Sequence, residues 1–249
     1  MKATLFIVGT GPGDPELLTL KAVNTVKKCP VIISPRGSAN GASTALSILK
    51  PVINLAAKEI HELHFPMKKI KSGQEPDPEV LVAWRYAAET VLSALDKGKD
   101  VCFPTLGDPA IYSTGYYLYE TICGLRHDVK VNFIPGVPAM SSCSASMARP
   151  ICLGDEMVAI IPATFSDSRL KEVFGLFDTI VLMKVHRVID RLTTLLEECG
   201  LLDNAVLVER AGTTKERVIE EFSALKSHPH YFSTIIVRKA HVTARVLVN

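Results

Sequence analysis

The chain has 249 residues, 47% of them hydrophobic, and a formal net charge of +2 at pH 7, which leaves room for one large or two compact domains with real cores. No apolar run approaches the roughly 20 residues that cross a bilayer, and so small a net charge does not imply the concentrated basic surface that nucleic-acid binding uses, so no nucleic-acid partner is expected. Only Lys2 precedes the strand-like run from Ala3, with no signal-peptide pattern, so a cytoplasmic protein is expected, its six scattered cysteines reduced and mostly buried because no Cys-x-x-Cys pair occurs.

In chain order, the apolar run Leu5-Phe6-Ile7-Val8 predicts a strand that feeds directly into Gly9-Thr10-Gly11-Pro12-Gly13-Asp14-Pro15. There Asp14 reads as an N-cap and Pro15 as the first residue of a helix. A second strand is predicted at 31–33. Residues 68–78, rich in charge, Gly and Pro, predict an exposed loop able to act as a lid. A helix then starts at Asp77-Pro78, places Leu81, Trp84, Ala88, Val91 and Leu95 on one face, and stops at Gly98. The next strand, 101–103, runs into another glycine-proline turn, Leu106-Gly107-Asp108-Pro109, and a further strand is predicted at 129–134.

This alternation is the pattern of βαβ units and a largely parallel sheet. Both turns then lie at strand C-terminal ends, where open α/β sheets bind ligands. After Arg149-Pro150, strands at 157–161, 179–183, 205–208 and 234–237 predict a second α/β unit. Its clearest helix, 188–199, carries Ile189, Leu192 and Leu196 on one face and ends at Gly200. The domains are expected at 1–149 and 150–249.

The first glycine turn fits neither common nucleotide fingerprint: Asp14 breaks Gly-x-Gly-x-x-Gly, and no Gly-Lys-Ser/Thr follows. What remains is close backbone approach to a bulky ligand, which assigns Pro12, Gly13 and Asp14 to a substrate. His61 and His64, at i, i+3 spacing, and His186 have no carboxylate or cysteine cluster around them, so no protein-bound metal is expected. Ser113, Ser141 and Ser142 lack a nucleophile elbow and are expected to cap helices or touch a cofactor.

The run from Leu106 to Thr114, together with Pro135-Gly136-Val137-Pro138-Ala139-Met140-Ser141-Ser142, resembles the tetrapyrrole methyltransferase family. Gly11-Pro12-Gly13-Asp14-Pro15-Glu16-Leu17-Leu18-Thr19-Leu20-Lys21-Ala22 is similar to that family's opening motif, and Met183 and Glu209-Arg210-Ala211-Gly212-Thr213 to later ones. The motifs match in order over nearly the whole chain. Phe65-Pro66-Met67, Phe103-Pro104-Thr105-Leu106-Gly107-Asp108-Pro109 and Tyr112-Ser113-Thr114 are most similar to the branch that methylates C-20 of precorrin-2 in cobalamin synthesis.

The resemblance implies two α/β domains with the active site in the cleft between them, the N-terminal one on the tetrapyrrole side. It also implies a homodimer and the methyl donor S-adenosylmethionine. Matched to the family's cofactor contacts are Leu106, Gly107, Asp108, Ile111, Pro138, Ala139, Met183, Ala211, Gly212 and Thr234, with Tyr112 placed to close the pocket. Related enzymes carry an Asp-Arg pair after the second strand where this chain has Pro35-Arg36. That difference leaves no acid or base to assign, and it leaves Arg36 as a clamp for a substrate carboxylate. Lys68 and Lys69, with Lys71, are expected to attract the polycarboxylate substrate by long-range field. Whether the substrate carries cobalt is left open. So are another methylation target, a different macrocycle position or the modified histidine of a translation factor, and a noncatalytic protein that binds S-adenosylmethionine or a tetrapyrrole.

Overall fold

In the computed structural model, which describes residues 2–37, 41–66, 73–222, 225 and 228–239, the first half of the chain builds one sheet. Its strands are β1 (Thr4–Gly9), β2 (Val31–Arg36), β3 (Glu59–His64), β4 (Val101–Thr105) and β5 (Lys130–Ile134), in the order β3-β2-β4-β1-β5. Every pairing is parallel. Because side chains alternate along a strand, Leu5, Ile7, Val31, Ile33, Val101 and Phe103 form one core with helices α3 (Pro78–Asp96) and α4 (Thr114–Leu125). Val8, Ile32 and Cys102 face the other way, into a core shared with α1 (Leu20–Lys28) and α2 (Thr44–Leu49).

Two local expectations change, and one strand is new. Asp14 caps only the single 3-10 turn Pro15–Leu17: the backbone extends again at Leu18, and Thr19 starts α1 by accepting from the Ala22 N–H at 3.1 Å. The buried face of α3 begins at Val80, since Leu81 is 42% exposed. Strand β3, Glu-Ile-His-Glu-Leu-His, had no apolar run to announce it. It is an edge strand with partly exposed, charged alternation, which discourages further pairing.

The second half adds β6 (Val158–Pro162), β7 (Thr179–Met183), β8 (Ala205–Glu209), β9 (Arg217–Ile219) and β10 (Ser233–Arg238), in the order β6-β7-β10-β8-β9. Only β6 and β7 pair in parallel here; β10 is antiparallel to β7 and β8, and β9 is antiparallel to β8. One face packs on α6 (Asp167–Leu176) and α7 (Ile189–Glu198). The other is covered by α5 (Ala139–Met147), whose Cys143 and Met147 pack with Val181, Val206, Val208 and Ile236. For that reason the compact units divide between Pro138 and Ala139, upstream of the Arg149-Pro150 boundary read from the sequence. Among the six free cysteines, Cys29, Cys102 and Cys143 are buried, Cys123 and Cys199 are partly so, and Cys152 is exposed. Among the described residues no helix is long and apolar enough to cross a membrane.

Candidate functional site

Since β1 and β4 are parallel neighbours, the two glycine-proline turns leave the same edge of the first sheet. They are bonded to each other. Thr10 N donates to Thr105 O at 2.9 Å, Gly11 N to Gly107 O at 3.2 Å, and Gly107 N to Gly11 O at 2.8 Å. The turn after β5 joins them: a Cβ on Gly9 would lie 2.6 Å from Gly136 N and 2.7 Å from Gly107 O. Three strands therefore end in one rim whose backbones touch only because these positions are glycine.

Asp108 ties the rim together. Its Oδ1 accepts from Ala110 N at 2.7 Å and its Oδ2 from Gly136 N at 2.8 Å. Leu106, Gly107, Asp108, Pro12 and Gly13 thus belong to turns in direct contact, with Ile111 and Pro138 a few residues along the chain. Tyr112 holds φ +49° and is 49% exposed, so it is no core residue. Ser113 caps α4 by accepting from Gly115 N at 3.0 Å and bonds Thr105 Oγ1 at 2.8 Å. The Asp14 carboxylate accepts from Glu16 N at 2.8 Å, within its own turn.

Arg36 closes β2 opposite His64 of β3 in the parallel register, and its buried Nε has no hydrogen-bond partner. Beneath it, Ser34 and Ser43 share a hydrogen bond of 2.7 Å, and Glu62 accepts from Ser43 N at 2.8 Å, which holds the chain that follows β2. His61 and His64 are three apart on a strand and so face opposite sides of the sheet, and His61 is bonded to Glu59 at 3.0 Å. Among the described residues no three His, Cys, Asp or Glu side chains gather around a common point. Lys68, Lys69 and Lys71 lie outside the described residues.

In the second unit, Met183 of β7 sits opposite Thr234 of β10, and Thr234 Oγ1 reaches Met183 Sδ at 3.7 Å. Cys143 of α5 also bonds Thr234; burial pushes its thiol up to about 12, against the pull of that hydrogen bond. Ala211 is buried in the same cluster as Cys143 and Met183. Gly212 N donates to Glu216 Oε2 at 2.6 Å, and Ala139 opens α5. Met183, Thr234, Ala211 and the α5 helix are brought together.

No local residue pattern signals backbone strain, yet strain marks the same places. Four described non-glycine residues have positive φ, namely Tyr112, Ala148, Lys184 and Arg210. Three of them directly adjoin Ile111, Met183 and Ala211. Non-glycine residues in this region cost about 1 to 3 kcal/mol each and collect at functional sites. Around Lys184 and Arg210 stand further groups that the sequence reading did not assign. The His186 ring meets Tyr231 edge to face at 4.9 Å, and burial, followed by the Arg187 charge, depresses its pKa. His230 is depressed by burial and by the Arg210 charge.

The sequence model of the tetrapyrrole (corrin/porphyrin) methylases matches residues 4–224. The cobalt-precorrin-2 C(20)-methyltransferase of Salmonella typhimurium is 30% identical over 242 residues, covering 96% of this chain and 98% of that protein. The precorrin-2 C(20)-methyltransferase of a Sinorhizobium species is 32% identical over 237 residues, covering 92% and 93%. The structure of uroporphyrin-III C-methyltransferase from Thermus thermophilus with S-adenosylhomocysteine superposes with a TM-score of 0.65 at 24% identity, over 95% of this chain and 98% of that one, which establishes the shared fold.

Proposed function

The chain belongs to the tetrapyrrole (corrin/porphyrin) methylase family, and from that membership we propose that it methylates C-20 of precorrin-2 or its cobalt-bearing counterpart. The observation that carries this reading is the bonded rim of three turns, in which the family-like motifs after β1, β4 and β5 converge through Gly11, Gly107, Asp108 and Gly136. Both full-length relatives described above bear names for that reaction.

The residues fit the donor that the family uses. A Cβ on Gly9 or Gly136 would run into the backbone of the neighbouring turns, Gly107 O included, so the rim presents backbone rather than side chains, and Asp108 is already committed to holding that backbone in place. S-adenosylmethionine supplies a sulfonium-activated methyl group, which an electron-rich ring carbon accepts by in-line displacement. For such a step the protein's contribution is alignment and exclusion of water, worth up to about 7 to 11 kcal/mol of barrier when geometry is ideal. The rim residues Leu106, Gly107 and Ile111, with Pro138, Ala139, Met183, Ala211, Gly212 and Thr234, hold the donor in this reading, and Tyr112 covers it. Arg36, with an unpartnered buried nitrogen, fits a carboxylate of the acceptor. Pro12, Gly13 and the capped Asp14 shape the acceptor side.

The test is incubation with S-adenosylmethionine and either metal-free or cobalt-loaded precorrin-2, followed by mass and carbon-position analysis. One added methyl at C-20 is expected; no added methyl, or a methyl elsewhere on the ring, refutes the proposal. The homodimer implied by the resemblance belongs to the same reading, and light scattering at twice 27.1 kDa checks it.

A further inference from the structure

Several arginines of the second unit hold carboxylates: Arg238 forks onto Glu156 with two contacts of 2.7 Å, Arg191 pairs with Asp167 at 2.6 Å, and Arg217 binds Glu209 through Nε at 2.6 Å. Arg210 directly follows β8, and its buried Nε has no hydrogen-bond partner; the Nε of Arg238 is buried and unpartnered too, but the other two nitrogens of that guanidinium are held by Glu156. The adjacent carboxylate, Glu209, is spent on Arg217 and on His230 N at 2.7 Å. A buried guanidinium nitrogen with no acceptor is costly unless a ligand completes it.

The backbone holds Arg210 in this state. Its φ of +49° is fixed by its N–H donating to Phe232 O at 2.7 Å and by its carbonyl accepting from Thr213 N at 3.0 Å and Thr213 Oγ1 at 2.9 Å. Strain that the surroundings over-determine in this way is a mark of a site. The same 230–232 segment carries a second orphan: His186, whose buried Nδ1 also lacks a partner, packs its ring on Tyr231. The depressed pKa of His230 has the Arg210 charge as its second cause, and that of His186 includes His230, so His230 lies within electrostatic reach of each of the two.

We propose that Arg210 and His186, steadied by Tyr231, form a carboxylate socket in the second unit that binds one carboxylate of the methyl-transfer reactants. The proposal rests on the methyl-transfer reading and adds to it a contact residue beside Ala211 and one beyond Met183. Two reactant carboxylates have the right chemistry: the amino-acid end of the donor and a side chain of the tetrapyrrole. Arg210 supplies charge-assisted N–H donors, and the His186 tautomer protonated at Nδ1 supplies one more.

The experiment compares wild type with Arg210→Met, Arg210→Lys and His186→Phe. Met and Lys keep an unbranched side chain at the positive-φ position, so backbone strain stays constant across the series. Phe keeps the ring packing on Tyr231 without the nitrogen, and it repeats the test away from strained backbone should an Arg210 variant fail to fold. Calorimetry with S-adenosylhomocysteine and steady-state KM for the tetrapyrrole are measured on each. A rise of about tenfold or more in the S-adenosylhomocysteine Kd for Arg210→Met assigns the socket to the donor. The same rise in tetrapyrrole KM with that Kd unchanged assigns it to the acceptor, and in either case Arg210→Lys recovers part of the loss. If wild type transfers methyl while the folded variants keep both constants within about twofold, the socket is overturned and the function stands. If wild type neither binds S-adenosylhomocysteine nor transfers methyl, the functional reading falls, and the socket with it.

Discussion

The two units solve the same problem with different materials. In the first, parallel strands deliver three turns to one edge, and glycines let the backbones themselves touch and bond. In the second, a mixed sheet brings together side chains, Met183, Thr234 and Cys143, while Lys184 and Arg210 turn the chain at positive φ without glycine. One unit is shaped by the absence of side chains and the other by side chains held against their preference. Substitutions should therefore act in opposite ways: adding atoms damages the first unit, and removing them relaxes the second.

The largest effect is expected at Gly136. A Cβ there would stand 2.9 Å from both Gly9 C and Gly9 Cα, and these are backbone atoms that cannot rotate aside. Gly136→Ala should destabilise the first unit by about 3 kcal/mol or more. Urea unfolding followed by tryptophan fluorescence reads this unit selectively, because Trp84 is the chain's single tryptophan and is packed in its core at 4.6 Å from the Tyr117 ring. An unchanged midpoint would mean that the rim is loose and the comparison wrong.

Asp108→Asn should come next, at about 1 to 3 kcal/mol, because an amide keeps one acceptor and turns an NH2 toward the other backbone N–H. Here the split between readouts sharpens the comparison. A positioning residue loses stability and S-adenosylhomocysteine affinity together. A residue acting through direct contact alone loses affinity with the Trp84 transition unmoved.

This asymmetry also explains what the sequence disclosed. Glycine and proline punctuation made the first unit's two turns legible in the sequence, and the structure bonds them at Gly11 and Gly107, because backbone contact requires those residue types. The main β-branched runs announced their strands for the same kind of reason. Strand β3 stayed hidden because an edge position tolerates Glu59, His61, Glu62 and His64. Helix α5 was given to the wrong side of the boundary because its partners, Val206 and Ile236, are far along the chain. Arg210 and Lys184 left no signal at all: positive φ at a non-glycine residue is imposed by tertiary hydrogen bonds such as Arg210 N to Phe232 O, which no local pattern encodes.

Arg210→Gly tests the other half of the contrast. Glycine adopts φ of +49° without penalty, and it costs some unfolded-chain entropy, so stability should rise by up to about 1 kcal/mol. Methyl transfer should fall in the same variant, since the guanidinium is gone. Calorimetric unfolding together with a single-turnover assay checks both signs. A variant that is less stable than wild type would show that the Arg210 side chain supports the fold and that the positive φ carries little strain.

The smallest effect is expected far from either set of functional residues. Glu59 begins β3, at the end of the first sheet opposite the glycine rim, and its carboxyl is lowered to about 2, first by the hydrogen bond from Lys99 and then by that from His61. A carboxylate whose folded pKa lies below its unfolded value of about 4.3 contributes stability that is complete above that value and disappears as pH falls toward the folded one. Between about pH 4.3 and 2 the Trp84 transition of wild type should therefore weaken more steeply than that of Glu59→Gln, by a small margin because the cluster is solvent-exposed and screened. Salt should narrow the difference further. If the two proteins lose stability in parallel across that window, the Lys99–Glu59–His61 cluster contributes nothing to the edge strand.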